Sequence, residues 1–320
     1  MRKFKNVVLS IIVMTILTII GITCSENATF TESLDHIEKT SLSNTLSKKG
    51  YNDIETSNEW DLVMDLGSQY GYKLYKNGWC DDYLQKVNLS MGAKLQVGFG
   101  TEYPNISESS SPFFKKRLIN SFWNSKPVKA ISVTNCSFFM PDNGYDNEDS
   151  VRLSFPIKIN GVLKSTGSDN QRTGKKKMGI NFLTQEAWID TFTINSNDSS
   201  IIANSFSSPT VIVGYSPETS EFSWSSGIAP TYRLMIGIKD QDGDIYSKNE
   251  VIYILSYWGP ISNAKEKLEE LGCNSNNIIM LDGSESSQMI AKNPDNSSSI
   301  QYEFNKDART IPNVIYVCKP

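Results

Sequence analysis

Short apolar runs that end in turn residues recur along the chain and constrain its fold more than any other feature. The runs are rich in β-branched and aromatic residues, which is typical of buried strands. They predict strands at Leu95–Phe99, Ala130–Phe139, Arg152–Ile159, Trp188–Ile194, Thr210–Tyr215, Leu234–Ile238, Val251–Tyr257, Ile278–Asp282 and Val314–Cys318. A segment of about 260 residues that carries them can bury one large core, so we expect a single domain.

Two helices are indicated between these strands. A proline at the first helical position predicts a helix over Phe113–Trp123, and a capping box precedes a second helix, Ala264–Leu271. The second helix connects two predicted strands, so it can form a parallel crossover. The pattern therefore predicts an α+β domain with mixed β-sheets and flanking helices.

The strand Ile278–Asp282 ends in a carboxylate that suits a binding or catalytic site. Gly283 follows it, and then the hydroxyl residues Ser284, Ser286 and Ser287. A buried strand fixes the acid, and small residues let a ligand approach the backbone. The alternative is a strand followed by an ordinary polar turn, because Asp-Gly is common turn chemistry.

Histidine and cysteine usage excludes several kinds of site. The only histidine, His36, lies in a polar N-terminal tail, which excludes a histidine triad or a histidine-rich metal centre in the core. Acid–base chemistry must therefore fall to carboxylates, Tyr or Lys. Cys80, Cys136, Cys273 and Cys318 lack Cys-x-x-Cys spacing, which argues against zinc, and they allow three disulfide connectivities. We expect neither a metal nor a cofactor.

The N-terminus predicts export. Basic residues precede the apolar run Val7–Ile22, which is short for a membrane span of about 20 residues and suits a secretory signal in residues 1–24. Cys24 follows at once, where a bacterial lipoprotein would carry its lipid. A lipoprotein, a secreted protein and a retained membrane anchor remain open, and all three lie outside the cytoplasm. Residues 25–59 predict a polar linker before a domain over 60–320.

The charge pattern indicates no nucleic-acid partner. The net charge is −4, and the basic runs Lys115–Arg117 and Lys175–Lys177 are not interleaved with aromatic residues. We expect these runs to be a solvated helix face and a solvated loop, respectively. Asp240–Asp244 resembles the start of a calcium loop but lacks the later Gly and Glu of an EF-hand, so we expect a hairpin turn.

Five segments between about Tyr72 and Cys318 resemble, in order, the pattern of the phosphodiester glycosidase family. They are Ala130–Phe139, similar to Ala-Ile-Asn-Gly-Gly-Phe-Phe; Tyr232–Ile238, similar to Arg-Thr-Ala-Ile-Gly-Ile; the strand and short helix over 251–272; Leu281–Met289, similar to Leu-Asp-Gly-Gly-Gly-Ser-Ser-Thr-Met; and Arg309–Val314, similar to Arg-x-Val-Pro-Asn. Cys136-Ser137 and Ser284-Glu285 stand where the family has glycines, so the pocket is expected to be reshaped.

The resemblance implies hydrolysis of a sugar C1–O–phosphate bond by a carboxylate near C1 and an arginine on the phosphate. Asp282 is the first candidate for the carboxylate, and Glu285 is the second. Arg233 is the first candidate for the phosphate contact, with Arg309 second, although a structural ion pair between Arg233 and Asp282 is an equal alternative. Asn135 is expected to orient sugar hydroxyls through its amide.

The expected ligand is a carbohydrate or sugar phosphate, and a second function class stays open. The ligand is expected to contact Gly283, Ser284, Ser286, Ser287 and Arg309 and to stack on Trp258, an aromatic that could equally belong to the core or rim. The altered glycine positions favour a non-catalytic envelope protein that binds such ligands, whereas the retained Asn, Arg and Asp favour the enzyme. A purely structural envelope protein is a third possibility.

Overall fold

The protein is described by a computed structural model. It describes residues 59–78, 80–100, 112–140, 150–168, 173–181, 186–192, 209–218, 229–243, 250–305 and 309–320. The chain divides into two units, Met1–Tyr51 and Asn52–Pro320, and all described residues lie in the second. The predicted signal segment with Cys24 and nearly all of the predicted linker lie outside the described residues. Within the described ranges, no helix is long and apolar enough to cross a membrane.

Strands make up most of the described chain. In chain order they are β1 Trp60–Leu66, β2 Tyr72–Asn77, β3 Tyr83–Asn88, β4 Lys94–Phe99, β5 Phe113–Lys115, β6 Ala130–Asn135, β7 Phe139–Met140, β8 Ser150–Leu153, β9 Ile157–Ile159, β10 Val162–Ser165, β11 Lys175–Asn181, β12 Glu186–Thr191, β13 Thr210–Tyr215, β14 Thr231–Lys239, β15 Val251–Gly259, β16 Ile278–Met280, β17 Met289–Ala291, β18 Tyr302–Phe304 and β19 Asn313–Cys318. The described helices are α1 Gly67–Tyr70, α2 Ile119–Asn124 and α3 Ile261–Glu270.

Three sheets contain these strands. The largest has eleven strands in the order β1-β2-β3-β15-β14-β16-β13-β11-β12, with β9 pairing with β13 and β10 with β9. A second sheet has the order β18-β17-β6-β19-β4, and a third has the order β5-β8-β7. Every strand pair assigned among the described residues is antiparallel.

The two larger sheets pack face to face, and short helices cover their outer faces. Apolar side chains of both sheets, such as Ile254 and Ile315, belong to one buried cluster between them. Leu268 of α3 packs on the outer face of the eleven-stranded sheet, and Phe122 of α2 packs on that of the five-stranded sheet. Because both faces of the central strands are covered, β13 is buried at every residue and its sequence is apolar without alternation.

One helical crossover interrupts the antiparallel pattern of connections. β15 and β16 both pair antiparallel with β14, so they run parallel to each other with β14 between them, and α3 connects them. Gly237 of β14 makes room for this connection, because a Cβ atom there would lie 2.7 Å from the Sγ atom of Cys273. The predicted crossover is confirmed.

The predicted fold class is wrong. The structure is mostly antiparallel β-sheet, not an α+β fold with mixed sheets and flanking helices. Within the described residues the predicted helix Phe113–Trp123 is divided between β5, which pairs with β8, and the six-residue helix α2. Antiparallel neighbours can be joined by short turns, whereas parallel neighbours need a crossover, so this topology needs few helices.

The expectation of a solvated loop at the second basic run is wrong. The basic run Lys175–Lys177 lies in β11, not in a solvated loop, and the Nζ atom of Lys176 donates to the carbonyl oxygens of Ser275, Asn276 and Ile278 at 2.9, 3.0 and 3.0 Å. These bonds satisfy a buried ammonium group, as burial of a charge requires. The four cysteines outside the signal segment are free thiols, and three of them are buried.

Candidate functional site

Asp282 lies at the junction of the two larger sheets. The strand β16 brings the chain to this point, and the backbone NH of Leu281 still donates to the carbonyl of Leu234 in β14 at 3.0 Å. The next NH, of Asp282, donates instead to the carbonyl of Cys136, directly after β6 of the other sheet, at 3.1 Å. The Asp282 backbone is therefore fixed from both sheets.

Asn135 holds both ends of the segment 282–288, which we call the Asp282 loop. Its Nδ2 group donates to the carbonyl of Asp282 at 2.6 Å, and its Oδ1 atom accepts from the backbone NH of Gln288 at 3.0 Å. The side chain is 1% exposed. Both ends of the amide bond to the loop, so Asn135 positions the Asp282 loop.

The Asp282 loop contains two buried hydroxyl groups, those of Ser286 and Ser287, and both residues are 0% exposed. The Ser286 hydroxyl interacts with the Asp282 carboxyl, whereas the Oγ atom of Ser287 has no hydrogen-bond partner among the described residues. The Oγ1 atom of Thr134, next to Asn135 in β6, is also buried without a hydrogen-bond partner among the described residues. Buried polar atoms are normally paired, so the hydroxyls of Ser287 and Thr134 are each suited to bond to water or to a ligand. Ser284 and Glu285 form the exposed tip of the loop.

The carboxyl group of Asp282 has a strongly perturbed pKa. Burial raises the pKa to about 7. Three smaller effects lower it: the Ser286 hydroxyl, the charge of Arg309 and the NH of Gly283. Desolvation disfavours the charged form of an acid and is the dominant effect here. At neutral pH both protonation states are populated, which suits a group that exchanges protons.

The two candidate arginines have different surroundings. Arg233 is 6% exposed, and its guanidinium donates to the carbonyls of Gly259 at 3.2 Å and Ala229 at 3.1 Å. It lies beside the loop, because a Cβ atom on Gly283 would be 3.8 Å from the Cα atom of Arg233. No ion pair joins Arg233 and Asp282 in the described structure, although this was an equal expectation.

The positive charge of Arg309 lowers the pKa of the Asp282 carboxyl. It is partly exposed, and its guanidinium lies 4.7 Å from the ring centroid of Phe139. Its backbone carbonyl accepts a hydrogen bond of 2.8 Å from the side chain of Gln288, at the end of the Asp282 loop. The sequence analysis ranked Arg309 second, after Arg233, which enters a strand.

An exposed aromatic face borders the loop. Trp258 is 49% exposed, and its ring centroid lies 4.6 Å from that of Tyr232. The Tyr232 ring in turn contacts Phe304 at 5.4 Å, and its carbonyl oxygen would lie 3.1 Å from a Cβ atom on Gly283. The NH of Trp258 donates to a carboxylate oxygen of the buried Asp82 at 2.7 Å.

The structure thus brings most of the predicted site residues together. Asn135 and Arg233 contact the Asp282 loop, and Arg309 acts on its carboxyl. Sequence reasoning missed Tyr232, Asp82 and Gln288. The position of Tyr232 opposite Trp258 in the β14–β15 pair could have indicated Tyr232. No local sequence pattern marks Asp82 or Gln288.

One group of carboxylates elsewhere in the described residues could hold a cation. Asp240, Asp242 and Glu250 each have a carboxylate oxygen within 4.8 Å of the others. The Asp240 carboxylate also accepts from the NH groups of Asp242 at 3.0 Å and Gly243 at 2.6 Å, as in an ordinary Asx turn. Asp282 is not part of this group.

Comparison with known proteins gives a weak likeness and no family membership. No family model and no curated protein matches the chain. Among solved structures, the chain is similar to the catalytic domain of zebrafish N-acetylglucosamine-1-phosphodiester alpha-N-acetylglucosaminidase, auto-inhibited by its pro-peptide, with 12% identity, a TM-score of 0.48 and 82% of each chain covered. It is also similar to a hypothetical protein from Synechocystis, with 10% identity, a TM-score of 0.40, and coverage of 82% of this chain and 61% of the other.

Ser284 allows a test of strain in the Asp282 loop. Its φ angle is +56°, and among the described residues the other non-glycine positions with positive φ are both asparagines. We expect Ser284→Gly to raise the free energy of unfolding by roughly 1 kcal/mol, because glycine adopts this conformation without a Cβ penalty. Urea unfolding measures the change. Ser284→Ala is the control, since it removes the hydroxyl and keeps the strain; an equal gain with alanine would contradict the argument.

The raised pKa of Asp282 predicts a pH-dependent cost to stability. The unfolded carboxyl titrates near about pH 4, so between that pH and about 7 the folded state binds more protons and stability falls as pH rises. Asp282→Asn removes this loss. We therefore expect the variant to gain stability over the wild type progressively between those pH values, with no further gain above them.

Urea unfolding at several pH values measures this difference. Asp190→Asn is the matched control, because Asp190 is an exposed acid on the edge strand β12. A difference between Asp282→Asn and the wild type that does not change with pH would show that the carboxyl is ionised normally in the folded protein.

Proposed function

We propose that the Asp282 loop binds a sugar joined through its anomeric oxygen to phosphate and hydrolyses the sugar C1–O–phosphate bond. The observation that carries the proposal is a carboxyl group with a pKa of about 7, with the Arg309 cation acting on it and an exposed aromatic face bordering the loop. The sequence resemblance suggests the same reaction, whereas the weak likeness to solved structures adds no support.

The reaction needs little acid assistance at the leaving group. Water adds its hydroxyl to C1, the C1–O bond breaks, and the phosphate leaves as a weak base that takes up a proton. The transition state resembles an oxocarbenium ion, which a negative charge near C1 stabilises. Ionised Asp282 supplies that charge and can take up the proton that the attacking water loses. Glu285, on the exposed tip, is the second candidate for this role.

The surrounding residues suggest how the substrate is held. Arg309 is the better candidate for the phosphate, because Arg233 is buried and already bonded to two backbone carbonyls. The hydroxyl of Ser287 has no partner among the described residues and could bond to the sugar, and the Ser286 hydroxyl lies beside the Asp282 carboxyl. Gly283 and Ser284 would border the ligand, and the exposed ring of Trp258 offers a face for stacking on the sugar.

A non-catalytic binding protein is the second candidate. It is favoured by the Asp282 loop itself, in which Ser284 holds a strained conformation at a position where the family pattern has glycine. The same hydroxyls, cation and aromatic face would bind a sugar phosphate without turning it over.

Removal of the Asp282 carboxyl separates the two candidates. We expect Asp282→Asn to lower kcat by about 100-fold or more, the scale of losing one electrostatic stabiliser in a desolvated site. Arg309→Lys should raise KM as well, because lysine cannot make a bidentate phosphate contact. The assay is release of reducing sugar from a panel of sugar-1-phosphodiesters, with Asp190→Asn as the control that keeps full activity.

Each outcome of this assay has a clear meaning. Binding of the panel by the wild type without release of sugar would favour the binding protein. Full activity in Asp282→Asn would show that another acid, such as Glu285, does the chemistry.

The proposal includes an exported protein anchored by lipid at Cys24. The basic start, the apolar run and the cysteine that follows it are the support. We expect the wild-type protein to incorporate a labelled fatty acid in a bacterial host and to fractionate with membranes, whereas Cys24→Ala should incorporate none. Label in the cysteine variant, or none in the wild type, would exclude lipidation at Cys24.

A further inference from the structure

A cavity of about 610 Å³ lies between the helix α2 and the segment that follows β17. Its size is within the range of small-molecule sites. It shares no lining residue with the Asp282 loop or with Asn135, Arg233 and Arg309, so it is separate from the site described above. The residues that its binding chemistry depends on are Trp123, Lys126, Lys292, Asn293, Asp295 and Asn296.

Two ammonium groups of the lining are not neutralised by a carboxylate. The Nζ atom of Lys126 donates to the carbonyl of Trp123 at 3.1 Å and lies 3.9 Å from the centroid of the Trp123 ring. The Nζ atom of Lys292 donates to the carbonyl of Ser297 at 2.9 Å. No acidic side chain forms an ion pair with either lysine among the described residues.

The one acid of the lining is neutralised by another lysine. The carboxylate of Asp295 forms an ion pair with Lys319 and accepts a hydrogen bond from the hydroxyl of Tyr70. Lys126 and Lys292 therefore leave the cavity with a positive charge. The two groups also repel each other: burial, and next the charge of Lys292, lower the pKa of Lys126. A bound anion would relieve this repulsion.

The amide side chains of the lining add hydrogen-bond donors. The Oδ1 atom of Asn293 accepts from the NH of Asp295 at 2.9 Å, and that of Asn296 accepts from the NH of Ser298 at 3.0 Å. Each amide oxygen is thus used within its own turn, so the NH₂ group is the part left for a ligand. The cavity combines two cations with two such donors, which is the complement of a group rich in acceptors.

We propose that this cavity binds a small anionic ligand through an oxyanion group, of the kind carried by a sugar phosphate or a sugar sulfate. The ammonium and amide donors hold the oxyanion. Trp123 is almost fully buried, so it reports on the cavity and does not stack on the ligand. The proposal does not depend on the reaction proposed for the Asp282 loop.

The indole NH of Trp123 provides a local reporter. It donates to the side chain of Gln301, another lining residue, at 3.0 Å. We expect glucose 6-phosphate and glucose 6-sulfate to shift the indole ¹H–¹⁵N resonance of Trp123, assigned with Trp123→Phe, at concentrations of about 10 mM or lower. Glucose should leave it unchanged, and added salt should weaken both responses. A response to only one of the two anions identifies which oxyanion the cavity accepts.

Removal of the two charges tests the assignment. The double variant Lys126→Gln/Lys292→Gln should bind at least about tenfold more weakly, the scale of losing a hydrogen bond to a charged group. Lys164→Gln/Lys239→Gln is the control, because it changes the net charge equally at residues outside the cavity and should bind normally.

Three results would overturn the proposal: no shift with either anion, an equal shift with glucose, or unchanged affinity in the Lys126→Gln/Lys292→Gln variant. Arg309→Lys should bind these anions at the cavity as the wild type does, which separates this site from the Asp282 loop.

Discussion

The amide of Asn135 is the interaction on which the arrangement of the site depends. It ends β6 of the five-stranded sheet and holds the carbonyl of Asp282 and the NH of Gln288, at the two ends of a loop that enters from the eleven-stranded sheet. An amide can donate and accept at once, and it carries no charge that burial would penalise. Breaking either bond would leave a buried polar group unpaired at a cost of about 1–3 kcal/mol. The loop is therefore fixed between two packed layers.

This rigidity explains how an acid with an unfavourable environment is maintained. The pKa of Asp282 rises because burial removes solvent from its carboxyl, and the packing of two sheets supplies the energy that keeps it there. Lys176, on the same sheet, is a buried charged group whose donors are all satisfied, because three backbone carbonyls surround its ammonium. Asp282 lacks an equivalent set of partners, and perturbed groups of this kind concentrate at functional sites.

The sequence predicted the central strands well, because β13, β14 and β15 are apolar on both faces and stand out from their surroundings. It missed β1, β2, β3, β10, β17 and β18, which are short or partly polar and are recognisable only through their partners. The basic run in β11 was assigned to a loop, since its pairing with buried carbonyls depends on residues about a hundred positions away. Asp282 and Arg233 were found from strand ends. The closeness of Arg309 to Asp282 and the use of the Asn135 amide come from contacts between the sheets, which periodicity does not encode.

The crossover through α3 has a consequence for how the site is assembled. In a purely antiparallel meander, successive strands end at opposite edges of the sheet. Because α3 returns the chain to its starting side, β15 and β16 end at the same edge, and this edge carries both Trp258 and Asp282. Tyr232 and Arg233, at the start of the intervening antiparallel strand, lie there as well. A single helix of ten residues thus determines that an aromatic face and an acid share one edge of the sheet.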